Sequence, residues 1–205
     1  MSKKTESKKQ IDILKEQSLV LVKPDGVKRG LVGDIIGRFE KAGLKIVALK
    51  MVKPTRDHFD RHYPSNQKFL NILATKTIEG YKAIGLDVKK ELGTTSKKVI
   101  GQKVKDWLLD YMTSGPVVAM VVEGAHAVKN VRLIVGSTNP LEATPGTIRG
   151  DFTTDSASLA NFKKRPIKNV IHASGEVDEA KEEVKLWFSF EEIHSFTRAD
   201  EEIIF

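Results

Sequence analysis

The sequence predicts an α/β chain of the α+β type: an antiparallel sheet with helices packed on it, in the order βαββαβ. Three observations predict it. Apolar runs of strand length recur at residues 18–22, 44–53 and 117–122, each bounded by a nearby Pro or Gly. Amphipathic helical stripes lie between and after them. The length, 205 residues, fits one domain, which buries roughly 70% of its unfolded surface without staples.

Taken in order, Ser18-Leu-Val-Leu-Val22 reads as a buried strand stopped by Lys23-Pro24, and Asp25-Gly26 as a turn. Over 31–42, Leu31, Ile35, Ile36 and Phe39 share one helical face, and Gly43 closes the helix. A second strand, 44–53, is rich in Val, Ile and Leu and ends at Pro54; Thr55 is suited to cap a helix over 56–63. Between Pro64 and about Gly101, helical patterns are interrupted by Gly80, Gly85, Gly93 and Thr94-Thr-Ser, so short helices and loops are expected. In 103–112, Val104, Trp107, Leu108 and Tyr111 form one stripe. After the 117–122 strand, 125–135 reads as a helix, broken by Ser137-Thr-Asn-Pro140. Asn169–His172 is a short strand, Ala173-Ser-Gly a turn, and 177–187 a helix with Val177, Ala180, Val184 and Trp187 inward. The last 18 residues are expected to pack along the surface. No repeat is visible. The order matches a ferredoxin-like split βαβ sandwich with helices on one face of the sheet, enlarged by a helical insertion.

Composition excludes several classes. There is no cysteine, hence no disulfide, thiolate metal site or cysteine nucleophile, which suits a reducing compartment. No apolar run approaches the roughly 18 residues of a membrane span, and the polar first ten residues do not resemble a secretory signal. The net charge of +7 is unevenly spread: residues 1–10 carry +3 and residues 65–105 carry +6. A basic tail over 1–15 is expected to be disordered. A solvated basic face explains the second segment; a nucleic-acid footprint is the sharper alternative. Few aromatics interleave there, and no Arg stands between Arg61 and Arg132, which weighs against base and phosphate recognition.

The chain has no P-loop and no G-x-G-x-x-G. Any phosphate handling therefore falls to side chains such as Lys23, Arg132 and Arg149, each of which, taken alone, is more often an ordinary surface or salt-bridge residue. Of five histidines, His58 and His62 are spaced i,i+4 but lack the context of a metal motif. His126 and His194 have only charged neighbours. His172 leaves a strand for Ala-Ser-Gly, where a sheet edge meets ligands, and Glu183 follows eleven residues later on a helix that can fold back. A carboxylate on one ring nitrogen fixes the tautomer and leaves a lone pair on the other, an aimed nucleophile that needs no separate base. A satisfied structural histidine is the competing reading.

Four blocks then carry a resemblance: Leu19–Gly33, Ser114–Gly124, Gly136–Pro140 with Pro145–Phe152, and Asn169-Val-Ile-His172-Ala-Ser174. In this order they resemble the nucleoside diphosphate kinase family over residues 18–63, 107–152 and 169–195. The resemblance implies a single domain over 16–205 and a reversible ping-pong transfer of the terminal phosphate from a nucleoside triphosphate, mainly ATP, to a nucleoside diphosphate. The phosphate would pass through a phosphohistidine at His172, an activity that maintains (d)NTP pools. It further implies that Lys23 and Asn169 contact the ribose, with Lys23 also near phosphate, and that Tyr63 lies beside the histidine. Arg132, Thr138 and Arg149 would hold the β- and γ-phosphates, Glu183 would orient His172, and Ser174 would support the loop. Mg²⁺ would ride on the nucleotide phosphates rather than in a protein cage. A homo-hexamer, or alternatively a homo-tetramer, is implied as well; a cytoplasmic location and no membrane partner are expected, and a nucleic-acid partner is not.

Three departures from the family pattern stand out. Residues 64–106 are longer than in compact members, so the base-stacking aromatic has no clean counterpart, Phe69 being the candidate. Residues 153–168 lengthen the loop before His172. Gly175 stands where the family usually has Asp, so a loop hydrogen bond or helix cap is expected to be lost.

Overall fold

The structure, a computed structural model, describes residues 13–204. Most of the expected basic tail lies outside them, while Ile13–Lys15 form a 3-10 turn leading into the first strand. The elements that follow are β1 (Glu16–Val22), α1 (Pro24–Lys28), α2 (Val32–Lys41), β2 (Lys45–Val52), α3 (Arg56–His62), α4 (Gln67–Ala83), α5 (Val88–Leu92), α6 (Lys97–Met112), β3 (Val117–Gly124), α7 (Ala127–Val135), α8 (Ile148–Phe152), α9 (Ala157–Phe162), β4 (Ile171–Ala173), α10 (Val177–Trp187) and α11 (Glu201–Ile204). The four strands form one antiparallel sheet in the order β2-β3-β1-β4.

Every residue of β3 and the last five of β1 are buried, so the sheet is covered on both faces rather than on one. An unbroken apolar run has no polar side to give to water, and both sides therefore take a layer. Leu19 and Leu21 point toward Phe59, Met112, Val184 and Trp187 of α3, α6 and α10. Val20 and Val22 point toward Ile35, Phe39, Val131 and Val135 of α2 and α7. Leu21 pairs with His172, and directly opposed residues share a face. This register puts the histidine on the α3–α6–α10 side of an edge strand.

The segment 64–106 is more regular than its glycines suggest. α4 runs seventeen residues and α6 sixteen. Gly85 and Gly93 do break the chain, with φ of 71° and 78°. Gly80 and Gly101 instead lie inside helices. A Cβ on Gly80 would overlap the Asn161 amide, and one on Gly101 the Leu70 carbonyl. These two glycines permit close approach rather than a turn. A third small core, with Ala74, Tyr81, Val88, Leu92 and Ile100, holds the region together. Asp25-Gly26 is a helical turn, with Pro24 opening α1. Val177, expected inward, is 40% exposed at the first position of α10, ahead of the helix's contact with the sheet, whereas Ala180, Val184 and Trp187 are buried.

Candidate active site

The site is built where β4 leaves the sheet beneath α10 and α3. The strand begins at Ile171, not Asn169, because Val170 has φ 57°, outside the strand region. The Ile171 amide bonds back to the Asn169 carbonyl at 2.7 Å across this three-residue turn. A branched side chain at positive φ costs on the order of 1–3 kcal/mol and persists only when its surroundings impose it. Here Lys23 N–H donates to the Val170 carbonyl at 2.8 Å and Asp25 Oδ2 accepts from Val170 N–H at 3.2 Å. The Tyr111 hydroxyl donates to the other Asp25 oxygen.

On this turn the His172 ring faces α10. Its Nε2 lies 2.9 Å from Glu183 Oε1. The second Glu183 oxygen accepts from the buried Ser174 hydroxyl at 2.6 Å, and Ser174 Oγ in turn accepts from Leu19 N–H at 3.1 Å. The carboxylate is thus anchored to the central strand before it reaches the imidazole. Accepting the Nε2 proton leaves the Nδ1 lone pair without a hydrogen-bond partner among the described residues. The side chain keeps 17% of its exposure. Burial, then the nearby Lys23, Arg149 and Arg132 charges, hold the His172 pKa at about 3, against a partial opposing pull from Glu179, so the ring is neutral at pH 7. Burial pushes the Glu183 carboxyl up, opposed by His62 and the Ser174 hydroxyl.

The cations take two arrangements. Lys23 is buried and donates to Asn169 Oδ1 at 2.7 Å; burial and Arg149 lower its pKa to about 7, partly offset by Asp25. Asn169 passes the contact on, its amide donating to the Thr138 carbonyl at 2.7 Å. Arg149 is also buried and is tied to three carbonyls: Gly136 (2.9 Å), Ile171 (2.8 Å) and Asn169 (3.4 Å). Burial and Arg132 lower its pKa to about 10. Arg149 therefore braces the walls as well as charging them. Arg132 and the Thr138 side chain are exposed, and Arg132 lines a cleft of about 690 Å³ with Gly136, Ser137, Thr147 and Gly175.

Aromatic rings close the far side. Tyr63 stands edge-on to His172 with centroids 6.2 Å apart, and Phe69 stacks on Tyr63 at 6.2 Å and 18°. Thr55 Oγ1 caps α3, which delivers Tyr63, and Asn66 Oδ1 caps α4, which delivers Phe69. At Gly175 the amide donates to Glu179 Oε2 at 2.6 Å, so a loop bond is made by a residue one turn on, while Glu176 at the N-cap of α10 makes no side-chain cap.

Several contributors carry no signal of their own in the sequence. His62, which pairs with nothing in its i,i+4 spacing, stacks edge-on to His172 at 4.6 Å; its Nδ1 accepts from the Trp187 indole at 3.3 Å and lies 3.5 Å from Glu183. Burial, with His172 next, holds its pKa at about 3. Asp25 reads in sequence as a turn residue only; its adjacency to Lys23 is the one available clue. His62, His172 and Glu183 place three ligand atoms within 4.8 Å of one another, the one such group among the described residues. The facing atoms are already engaged, His62 Nδ1 by the Trp187 indole and Glu183 Oε1 by His172 Nε2, and two imidazoles suit a softer ion than Mg²⁺.

The Nucleoside diphosphate kinase family pattern matches residues 16–103 and 88–193. The chain is 48% identical over 178 residues to a nucleoside diphosphate kinase of Pyrobaculum aerophilum, covering 87% of this chain and 97% of that one. It is 42% identical over 190 residues to one of Archaeoglobus fulgidus, covering 93% and 97%. Among solved structures, an NDP kinase from Pyrobaculum aerophilum superposes with TM-score 0.86 at 46% identity, covering 88% of this chain and all of that one. A transition-state mimic of the Borrelia burgdorferi enzyme with bound vanadate and ADP gives 0.73 at 36%, covering 92% and 96%.

Proposed function

This chain belongs to the nucleoside diphosphate kinase family, and on that footing we propose that His172 is the residue that carries the phosphoryl group between nucleotides. The reaction is reversible transfer of the terminal phosphate of a nucleoside triphosphate, chiefly ATP, to a nucleoside diphosphate. The single observation that carries the assignment is the neutral His172 ring, held through Nε2 by Glu183 with Nδ1 free, among Lys23, Arg132 and Arg149.

In the forward half-reaction the Nδ1 lone pair forms the N–P bond, the bond from phosphorus to the bridging oxygen breaks, and the diphosphate leaves with that electron pair. The Nε2 proton stays on its hydrogen bond to Glu183 as positive charge develops on the ring. In the second half a terminal oxygen of another diphosphate attacks phosphorus, and the imidazole leaves with its pair restored. Donor and acceptor differ only in the nucleoside, so one pocket serves both in turn. Lys23, whose pKa of about 7 leaves it partly charged in the free protein, gains its full charge beside a polyphosphate. Arg132, Thr138 and Arg149 hold the terminal phosphates, where charge spreads in the transition state. Lys23 and Asn169 reach the ribose. The base stacks on Phe69, backed by Tyr63, and needs no edge contact, which supports tolerance of all bases. Mg²⁺ would be held by the nucleotide's phosphate oxygens and water rather than by side chains of this chain, and would supply charge neutralisation there.

Incubation with γ-labelled ATP should leave acid-labile, alkali-stable phosphate on the protein, absent in His172→Ala together with exchange. A His172→Ala protein that exchanges phosphate at the parental rate overturns the reading. We also propose a homo-hexamer, with a tetramer as the alternative, supported by β2 being a sheet edge with Leu49 (52%) and Met51 (63%) exposed; a stable active monomer in sedimentation would defeat it. One domain spans residues 16–205 in this proposal. No helix among the described residues is long and apolar enough to cross a membrane. The family reading supports a cytoplasmic enzyme serving nucleotide pools.

A further inference from the structure

The two enlarged segments touch, and they do so through polar contacts buried between helices. Tyr81 on α4 donates its hydroxyl to the Asn161 carbonyl on α9 at 2.7 Å. The Asn161 amide donates back to the Thr77 carbonyl of α4 at 3.2 Å. Tyr81, Thr77 and Asn161 are all buried. Gly80, one residue before Tyr81, lies where any Cβ would displace the Asn161 amide. The missing side chain at 80 thus makes room for the side chain reaching in from 161.

Each partner leads to a different wall of the nucleotide site. From Thr77 and Tyr81, α4 runs back to Phe69, which stacks on Tyr63 at the end of α3. From Asn161, α9 runs back to Ala157, whose amide donates to Asn139 Oδ1 at 3.2 Å, next to Thr138. The other end of the same loop is closed by a buried Asp155, which accepts from Arg165 (2.6 and 3.0 Å) and from the Lys168 amide (2.7 Å) just before Asn169. A continuous path of helix and buried or part-buried hydrogen bonds therefore joins the aromatic wall to the phosphate wall.

We propose that Asn161 and Tyr81 form a clasp that sets the spacing of the nucleoside slot, acting as positioning residues for nucleoside binding and not for phosphoryl transfer. The proposal rests on the function proposed above, with Phe69 on the nucleoside side. Fixing the two walls in advance lowers the ordering cost of binding, which appears in nucleotide affinity. His172, Glu183 and Ser174 are anchored separately to β1 and are not on the path.

The test compares Asn161→Ala, Tyr81→Phe and Gly80→Ala with the parent full-length protein in nucleotide exchange and in His172 phosphorylation by phosphoramidate, a donor without a nucleoside. Asn161→Ala and Tyr81→Phe should each raise KM for ADP and GDP about three- to tenfold, the scale of one buried hydrogen bond. Their kcat and phosphoramidate rate should stay within twofold. Gly80→Ala should raise KM similarly in the parent but not in Asn161→Ala, because only the Asn161 amide group lies within 4 Å of the added methyl. A purely structural loss would lower kcat and the phosphoramidate rate together with nucleotide affinity, and would not raise KM alone. If Asn161→Ala fails to fold, Tyr81→Phe removes one hydroxyl and decides alone. Unchanged KM in a folded variant, or a parallel fall of the phosphoramidate rate, overturns the clasp. Failure of the underlying function would show instead in His172→Ala retaining exchange, whatever the clasp variants do.

Discussion

The wall beneath β1 and the helical head formed by α4, α5 and α6 are stabilised by opposite means. Under β1, polar groups are joined into one network, Leu19 to Ser174 and Trp187 to His62 across 155 and 125 residues, Ser174 to Glu183 and Glu183 to His172 across 9 and 11. In the head, helices approach through glycine and an apolar cluster. A buried polar network costs desolvation and gives geometry; a glycine contact gives close packing and little chemistry. Damage to the first region should therefore change rate and pH response, and damage to the α4–α6 packing of the second should change stability.

The largest expected difference is in pH response. His62 and His172 both have pKa values near 3 in the folded protein against an ordinary 6.5. Between those values the unfolded chain binds protons that the folded chain does not, so stability falls as pH drops from 6.5 toward 3. Glu183, raised above 4.5, acts in the opposite sense near its own pKa and offsets part of this. Thermal midpoints measured from pH 7 to pH 4 should decline, and His62→Asn, which keeps an acceptor for Trp187, should decline less steeply. A slope identical to the parent would separate the buried histidines from acid sensitivity.

Next is Glu183→Gln. The amide has one oxygen where the carboxylate has two engaged, so it cannot accept from both Ser174 and the imidazole. A 10- to 100-fold loss of kcat is expected, the usual scale for an orienting partner, with the midpoint moving far less than the rate. In the head the order reverses for Gly101→Ala: its methyl meets the Leu70 backbone, which no rotamer relieves. Chemical denaturation should show about 1–3 kcal/mol lost, with kcat at saturating nucleotide within twofold. Smallest is Asn66→Ala, which removes the cap of α4 and should cost about 1 kcal/mol in the same assay.

The same contrast governs which features are legible in the amino-acid sequence. Glu183 and His172 are legible because a strand end and the following helix constrain which residues can fold back together. The helix 177–187 is legible from its stripe, apart from Val177 at its first turn. The burial of β3 and of the last five residues of β1 is written in their apolar runs, yet which helices supply the second layer is not. Gly80 and Gly101 mislead because a glycine that breaks a helix and one that admits a neighbour look alike until the neighbour is known. His62 and Trp187 are 125 residues apart, and no local pattern links them. Val170 is set at positive φ by Asp25, 145 residues away.

Asp155 and Thr153 fasten to the chain at Lys168, the first accepting from its amide at 2.7 Å and the second donating its hydroxyl to its carbonyl at 2.9 Å. The hem they form leaves the span from 156 to 167 outside the seam that aims the imidazole. Additions to or deletions from that span leave untouched the bonds by which Ser174 and Glu183 turn the imidazole.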